Sequence, residues 1–373
     1  MLRVTFVNRH PSDVIGGSEL QCDLFARGLA ARGHAVSYVA LRSSARPSEG
    51  MLSLPYGLVR LAPDESKDPG SIARAIRATE PDVVYWRHGR QSLDVVVALL
   101  AGPPSRIPVV LAVAHVDDVS RWPTGPVHRV SLRTLAGDLQ HRLEHRRTWR
   151  AFAEVAAIAA QREDFLGRTP VALQRHVPNV VDPSTAPFVW PRPYVAWVAN
   201  LKSRKRPEQL VPLARALAPH HVDLVVAGAL QDERYRGLTV TDPSIPNLHS
   251  VGALPPGEAA GLIAGARCLA VTARPEGLSN AMIQAWWHGV PTVSLDYDPD
   301  RAIASRGLGQ VCGGDATEFR RATVELATST PLRDAAGGRA RDHARQRFDF
   351  ATNVLLLEGL LGDTVSGVRQ SRG

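Results

Sequence analysis

The chain has 373 residues, of which 44% are hydrophobic, and it carries a formal net charge of +8. This length exceeds what one core usually organises, so two domains are expected. No apolar run reaches the roughly 18–20 residues that cross a bilayer, and residues 1–7 have the pattern of a strand rather than of a signal peptide. We therefore expect a cytoplasmic protein. Its three scattered cysteines argue against a disulfide framework or a zinc site.

Strand-like apolar segments alternate with amphipathic helical segments, which is typical of parallel sheets covered by helices on both faces. In the first half, the predicted strands cover residues 2–7, 35–41, 82–85, 109–113 and 155–159. In the second half, they cover residues 194–198, 222–227, 248–251, 268–272 and 292–295. The pattern predicts an α/β fold of two doubly wound, Rossmann-like domains with a cleft between the carboxyl ends of their strands.

A proline-rich segment interrupts this alternation. Four prolines fall within the thirteen residues 181–193, and proline can continue neither a helix nor a central strand. We therefore predict an N-terminal domain over 1–183, a linker over 184–193 and a C-terminal domain over 194–349. A last helix begins near Phe350, and the tail 365–373 is expected to fray.

Two glycines, Gly16 and Gly17, lie in the loop between the first predicted strand and the first predicted helix. They would let the backbone approach the phosphate or sugar of a ligand. The alternative is a loop whose conformation requires a positive φ angle. Ser18 and Gln21 match a capping box at the start of this helix.

His115 lies just beyond a predicted buried strand, at the edge where α/β proteins bind ligands. It would contact a sugar hydroxyl or developing charge, or else serve only as a loop or cap residue. Asp117 and Asp118 are predicted to cap the turn that follows rather than to bind a metal. Downstream, residues 127–151 are predicted to form a basic amphipathic helix that suits an anionic membrane or an acidic acceptor, or else a solvated surface. No binding motif accompanies the charge, so nucleic acid is not an expected partner.

A second cluster of charge follows the strand at 194–198. Lys202, Arg204, Lys205 and Arg206 crowd residues 202–206, which we call the cationic loop, although the whole chain contains only three lysines. Like charges at this density repel one another unless an anion joins them. The loop therefore predicts a diphosphate site, with a solvated run of charge as the alternative.

The strand at 268–272 leads through Glu276 into Gly277, Leu278 and Ser279, and then into a predicted helix over 279–288. We call residues 277–279 the glycine turn. The start of a helix offers backbone N–H groups and the positive end of the helix dipole to a phosphate. The carboxylate of Glu276 would bond the hydroxyls of a sugar, so the pair of features indicates a nucleotide-sugar.

Asp296 and Asp298 form an Asp-x-Asp pattern of the kind that holds a divalent metal in some transferases. Here the pattern is followed by Pro299 in a segment suited to a loop and to helix capping. We therefore predict that the two residues serve the loop and that the protein binds no metal.

These motifs, in this order, resemble those of glycosyltransferase family 4, the retaining transferases with the GT-B fold of two Rossmann-like domains facing a cleft. The resemblance covers nearly the whole chain. It rests on Gly16-Gly17, on His115, on Asn200 with Lys205, on the segment 275–280 and on the segment 288–291. It implies that the helix over 350–365 packs back on the N-terminal, acceptor-side domain and that the C-terminal domain binds the donor.

The resemblance implies catalytic roles for His115, Glu276 and Lys205. The donor-binding residues that it implies, together with the cationic loop, are Gly16, Gly17, Asn200, Lys202, Lys205, Glu276, Gly277, Leu278, Ser279 and Gln284. Two of these depart from the family pattern. Asn200 stands where arginine is usual, and Gln284 stands where a glutamate commonly bonds the ribose, so its bond should be weaker.

The function that the resemblance implies is retaining, metal-independent transfer of a hexose from a nucleotide-diphosphate sugar to an acceptor hydroxyl, with no cofactor. The expected setting is the biosynthesis of a polysaccharide, glycolipid or glycosylated metabolite. The acceptor would be a lipid-linked or acidic glycan, reached at the cytoplasmic membrane face through the helix 127–151. The alternatives are a nucleotide-sugar-binding subunit that supports a partner transferase, and a GT-B epimerase or phosphorylase.

Overall fold

The computed structural model describes residues 1–14, 16–43, 54–87, 93–103, 105–120, 146, 149–182, 185–240, 242–274 and 277–370. The chain divides into two compact units. The first unit contains Met1–Val180 and Phe350–Gly373, and the second contains Val181–Asp349. Each unit holds one sheet in which all the described strand pairs are parallel. The predicted fold class, two parallel-sheet α/β domains, is confirmed.

The sheet of the first unit has the strand order β3-β2-β1-β4-β5-β6-β7. Its strands are β1 Arg3–Asn8, β2 Ala35–Ala40, β3 Gly57–Arg60, β4 Val83–Trp86, β5 Val109–Val113, β6 Ala157–Ala160 and β7 Gln174–His176. The order reverses between β1 and β4, so the loops that follow these two strands flank a topological switch point. The edge strands β3 and β7 were not predicted, because both are short and only half buried.

Helices cover the two faces of this sheet. They are α1 Gly17–Ala31, α2 Pro69–Ala78, α3 Leu93–Ala101 and α4 Val116–Val119. One hydrophobic cluster joins α2 and α3 to the sheet, and a second cluster joins α1 to its other face. At the start of α2, the Asp68 carboxylate accepts hydrogen bonds from the amides of Gly70 and Ser71, and Pro69 occupies the first helical position.

The sheet of the second unit has the strand order β10-β9-β8-β11-β12-β13. Its strands are β8 Tyr194–Val198, β9 Asp223–Ala227, β10 Leu248–Gly252, β11 Leu269–Val271, β12 Thr292–Ser294 and β13 Gly309–Val311. Its helices are α5 Leu210–Leu217, α6 Pro256–Ala264, α7 Asn280–Trp287, α8 Ala302–Arg306, α9 Ala316–Thr328 and α10 Thr330–Arg347. The unpredicted strand, β13, is again a short, half-buried edge strand.

The proline-rich segment packs against the second unit. The amide of Ala186 donates to the carbonyl of Gly257 at 3.1 Å, and the indole of Trp190 donates to the buried carboxylate of Asp223 at 2.9 Å. A Cβ atom at Gly261 would overlap the carbonyl of Ala186, so that position requires glycine. Residues 185–193 are therefore fixed along the surface of one unit.

The C-terminal helix, α11 Phe350–Gln370, belongs to the first unit and packs on α1. Its buried face includes Leu357 and Val365, and the expectation that the tail frays from residue 365 is wrong as far as Gln370. Burial of Val365 explains the difference, because an apolar contact at the end of a helix holds the last turns in place. No helix in the described part of the chain combines the length and apolar composition needed to cross a membrane.

The packing of α11 can be tested with two leucines on the same helix. Leu357 is fully buried and Leu355 is 48% exposed. We expect Leu357→Ala to lower the free energy of unfolding by about 2–5 kcal/mol, because it removes buried methyl groups and leaves a cavity. Leu355→Ala should change it by less than about 0.5 kcal/mol. Urea denaturation followed by circular dichroism measures both, and equal effects would contradict the docked helix.

Candidate functional site

The second unit has its own topological switch point, between β8 and β11. The loops that follow these neighbouring parallel strands leave the same edge of the sheet. The first of them is the cationic loop, and the second leads to the glycine turn and α7. The fold therefore brings together the two segments that the sequence predicts to hold a diphosphate.

A buried threonine joins these two loops. Thr272, just after β11, is fully buried. Its hydroxyl accepts from the indole N–H of Trp197 at 2.9 Å and donates to the carbonyl of Lys205 at 2.5 Å. The amide of Arg274 donates to the carbonyl of Arg204 at 3.0 Å. The backbone of the cationic loop is thus hydrogen-bonded to the segment that leads to the glycine turn.

Arg206 adds a third connection. Its backbone is left-handed, with φ 49° and ψ 55°, a conformation that costs a non-glycine residue about 1 kcal/mol. Its guanidinium donates to the carbonyl of Thr272 at 2.5 Å and to that of Ala273 at 3.3 Å. Burial lowers the pKa of this guanidinium. The charge of Arg206 therefore serves to bind protein carbonyls, unlike the role as a phosphate ligand that its place in the cationic loop suggested.

Of the remaining cations, Arg204 and Lys205 lie on a short 3-10 turn, Ser203–Lys205, and Lys202 directly precedes it. The turn is closed by a hydrogen bond from the Lys205 amide to the Lys202 carbonyl at 2.9 Å. Arg204 is exposed, and Lys202 and Lys205 are half buried. The turn places these three side chains at the switch-point edge of the sheet.

Asn200, which departs from the family pattern, has a structural task. Its side-chain oxygen accepts from the amide of Ala229 at 3.1 Å, in the loop after β9. Gly228 lies beside this bond with φ 156°, and a Cβ atom there would overlap the carbonyl of Ala199. The amide of Asn200 therefore holds the loops after β8 and β9 close together, which requires glycine at position 228.

The glycine turn is described from Gly277 onward, while Glu276 lies outside the described residues. The Tyr297 hydroxyl donates to the carbonyl of Gly277. Leu278 is buried. Helix α7 begins at Asn280, one residue later than predicted, so Ser279 directly precedes it. Gln284 is half buried on the second turn of α7. The backbone of the glycine turn therefore leads directly into α7, at the same edge of the sheet as the cationic loop.

The Asp-x-Asp segment follows β12 and serves the protein's own loops. The Asp298 carboxylate accepts from the amides of Ile303 and Ala304 at 2.8 and 3.1 Å, and so caps α8, as its loop setting predicted. Asp296 lies 3.7 Å from the guanidinium of Arg206. Across the residues that the structure describes, no cluster of His, Cys, Asp and Glu side chains is arranged for a metal ion.

In the first unit, Gly16 precedes α1 in an extended conformation with φ −149°, so the alternative of a positive φ at this residue is wrong. A Cβ atom there would overlap the carboxylate of Glu19, which is buried and pairs with Arg9 at 2.8 Å. Gly17 is the first residue of α1. Gly16 therefore makes room for an acidic side chain that folds back over the start of the helix.

The predicted capping box at α1 is also wrong. The hydroxyl of Ser18 accepts from the side-chain amide of Asn8 at 3.1 Å. The amide group of Gln21 instead bonds the backbone of Val180, donating to its carbonyl at 2.7 Å and accepting from its N–H at 2.8 Å. Gln21 therefore holds Val180, the last residue of the segment Met1–Val180, instead of capping α1.

His115 lies where the sequence placed it, two residues beyond β5 at the carboxyl edge of the first sheet. Its backbone amide and that of Ala114 donate to the Asp118 carboxylate at 2.7 and 2.9 Å, so Asp118 bonds the turn that precedes it, whereas the sequence predicted that it caps the turn that follows. The imidazole of His115 is half buried. Most of the basic segment 127–151 lies outside the described residues.

A buried polar chain that the sequence did not reveal holds the loop after β1. The Nδ1 atom of His10 accepts from the Ser12 amide at 3.2 Å, so its proton is on Nε2, which donates to the Tyr56 oxygen at 3.0 Å. The Tyr56 hydroxyl in turn donates to Asp23. Burial lowers the pKa of His10, which favours this neutral form. These linked hydrogen bonds fix the loop that leads to Gly16.

Two doubly wound units, one with charged and glycine-rich loops at its switch point, define a Rossmann-like α/β protein. Comparison with protein families identifies the class of Rossmann-like protein as glycosyltransferases. Residues 15–185 match the model described as Glycosyltransferase Family 4, and residues 192–329 match the model described as Glycosyl transferases group 1. The chain therefore belongs to the glycosyltransferases that these two models describe. No curated protein matches it.

Solved structures share the fold. Sucrose-phosphate synthase (tll1590) from Thermosynechococcus elongatus aligns with a TM-score of 0.77 at 14% identity, over 98% of this chain and 100% of that chain. Anabaena Alr3699/HepE aligns with a TM-score of 0.71 at 18% identity, over 98% and 100%. WaaG, a glycosyltransferase involved in lipopolysaccharide biosynthesis, aligns with a TM-score of 0.63 at 16% identity, over 96% and 98%. The fold is therefore GT-B, as the sequence predicted.

The role of Thr272 can be separated from ordinary core packing, because a second buried threonine in the same unit has a similar partner. Thr292 accepts from the indole of Trp286 at 3.0 Å. We expect Thr272→Val and Thr292→Val each to lower the free energy of unfolding by about 1–3 kcal/mol, because each leaves an indole N–H without its acceptor. Thermal unfolding measures this loss.

Only Thr272→Val should also loosen the cationic loop, since only Thr272 donates to Lys205. Hydrogen exchange of the amides at 203–206 should then be faster than in Thr292→Val. Equal exchange in the two variants would show that the Thr272 hydroxyl does not hold the loop.

Proposed function

We propose that the protein is a retaining glycosyltransferase that moves a hexose from a nucleotide-diphosphate sugar to an acceptor hydroxyl, without a metal ion. The observation that carries this proposal is the hydrogen-bonded junction between the cationic loop and the segment leading to the glycine turn. The structural relative HepE was solved in complexes with UDP-glucose and with UDP and glucose, which supports a nucleotide-sugar as the donor.

The donor's diphosphate would lie between the cationic loop and the glycine turn, which we call the two arms of the donor site. Lys205 and Lys202, with Arg204 beside them, would supply positive charge, and the amides of Gly277, Leu278 and Ser279 would supply hydrogen bonds at the start of α7. Asn200 would support the site by holding the loop after β9. Gln284, one turn along α7, would bond the ribose through its neutral amide.

Transfer would break the bond between the anomeric carbon and the phosphate oxygen, and the nucleoside diphosphate would leave with the bonding electrons. Negative charge would then grow on the diphosphate, where the lysines and backbone amides would stabilise it. The sugar gains positive character, which Glu276 and His115 would accommodate. The acceptor oxygen would attack from the face that the leaving group occupied, giving retention, and would release its proton to the departing phosphate.

Gly16 and Gly17 would contribute the first unit's backbone to the donor. The acceptor would be a lipid-linked or acidic glycan in polysaccharide or glycolipid biosynthesis. The basic segment 127–151 would hold it, or would contact the membrane on the cytoplasmic side. Its composition supports this proposal: arginines recur at Arg142, Arg146 and Arg150, at the spacing of one helix face.

The proposal predicts that a nucleotide-sugar raises the melting temperature, because a ligand that binds only the native state stabilises it. A thermal-shift panel of UDP-, GDP-, ADP- and TDP-sugars should identify at least one such donor. Lys205→Ala should weaken its binding about 10- to 100-fold, since a hydrogen bond to a charged group contributes about 1.5–3 kcal/mol. Lys67→Ala is the matched control, because Lys67 is an exposed lysine of the first unit.

Turnover is measured as release of nucleoside diphosphate with sugar acceptors. Release that requires an acceptor supports transfer, while release only with inorganic phosphate would indicate a phosphorylase. Stoichiometric donor binding without any turnover until a partner protein is added would favour the non-enzymatic subunit. A folded protein that binds no member of the panel would overturn the proposed function.

A further inference from the structure

We infer that the segment 296–298, which we call the brace loop, sets the spacing and orientation of both arms of the donor site, with Tyr297 as a positioning residue. The inference rests on the proposed function, because it concerns the same diphosphate site. It gives a role to the Asp-x-Asp pattern that requires no metal, and it assigns the residue between the two aspartates a task that the pattern does not suggest.

Tyr297 acts on the glycine turn. The residue is only 3% exposed, and its hydroxyl donates to the carbonyl of Gly277. The carbonyl of Gly277 and the N–H of Leu278 belong to one planar trans peptide group, in which the two bonds point in opposite directions. A tyrosine that holds the carbonyl therefore aims the Leu278 N–H away from itself. That N–H is one of the amides proposed to bind the phosphate.

Its neighbour Asp296 reaches the other arm. The carboxylate of Asp296 lies 3.7 Å from the guanidinium of Arg206, the left-handed residue that ends the cationic loop. This guanidinium also donates to the carbonyls of Thr272 and Ala273. Consecutive residues of the brace loop thus contact the cationic loop and the glycine turn, so a shift of the brace loop would move both.

The brace loop is itself fixed at both ends. The hydroxyl of Ser294, the last residue of β12, donates to the carbonyl of Tyr297 at 2.5 Å. At the other end, the Asp298 carboxylate accepts from the amides of Ile303 and Ala304 in α8. Because the brace loop is bonded to a strand and to the start of a helix, it can hold both arms in fixed positions. Groups that stabilise developing charge need such fixed positions before the reaction begins.

The test compares two tyrosines of the second unit that make the same kind of bond. Tyr194 is also buried, and its hydroxyl donates to the carbonyl of Leu262 at 2.7 Å. Tyr194 begins β8, at the opposite end of the strand from the cationic loop. Tyr297→Phe and Tyr194→Phe each remove one hydroxyl and leave the ring in place, so we expect similar losses in melting temperature.

Ligand binding should separate the two variants. The probes are the nucleotide-sugar that most stabilises the wild-type protein and its free nucleoside diphosphate, with dissociation constants measured by calorimetry. Tyr297→Phe should weaken both probes about 5- to 10-fold, a factor that corresponds to the net contribution of one hydrogen bond. The shared loss is expected because the affected contact is to phosphate. Tyr194→Phe should bind both within twofold of the wild-type protein.

Binding by Tyr297→Phe that equals binding by Tyr194→Phe would overturn the inference and leave the proposed function intact. A wild-type protein that binds neither probe would overturn both. If Tyr297→Phe fails to fold, Arg206→Lys tests the same brace from the other arm, because lysine keeps the charge and loses the fork that spans two carbonyls. Its control is Arg301→Lys, at another left-handed arginine of this unit, and only Arg206→Lys should weaken the two probes.

Discussion

The candidate site depends on one buried hydroxyl. Thr272 is surrounded by protein, and its oxygen both accepts from Trp197 and donates to Lys205. Trp197 is in the strand that leads to the cationic loop, and Thr272 follows the strand that leads to the glycine turn. A hydroxyl is suited to this position because it can donate and accept at once. In a buried setting, the loss of either bond leaves a polar group unsatisfied, so the geometry of the two loops is strongly constrained.

The central elements of both units could be predicted because their signals are local. Largely buried strands such as β8 and β5 are continuous apolar runs, and their predicted bounds, 194–198 and 109–113, agree with the structure. The edge strands β3, β7 and β13 contain no fully buried residue, so no buried apolar run marks them. The order of the glycine-rich and cationic motifs was enough to predict the family and the GT-B fold.

The bonds within the site could not be predicted, because their partners are distant in the sequence. Thr272 and Lys205 are 67 residues apart, and Asn200 and Ala229 are 29 apart. The family pattern counted Asn200, which stands where arginine is usual, among the donor-binding residues, and the Ser18–Gln21 spacing predicted a capping box. In the structure, the amide of Asn200 bonds a neighbouring loop and that of Gln21 bonds Val180. A side-chain amide both donates and accepts, so spacing alone does not determine which partner it takes.

The cationic loop illustrates why a site of this kind needs external support. Four cations within five residues repel one another, and the loop ends at a left-handed arginine, which adds backbone strain. Both costs are opposed by neighbouring loops, because the carbonyls of Thr272 and Ala273 accept from Arg206 and the amide of Arg274 donates to Arg204. The side chain of Arg206 is thereby directed into the protein. Its neighbours Lys202, Arg204 and Lys205 lie at a turn whose backbone is hydrogen-bonded to the protein, so a diphosphate bound as we propose would meet a loop that is already ordered.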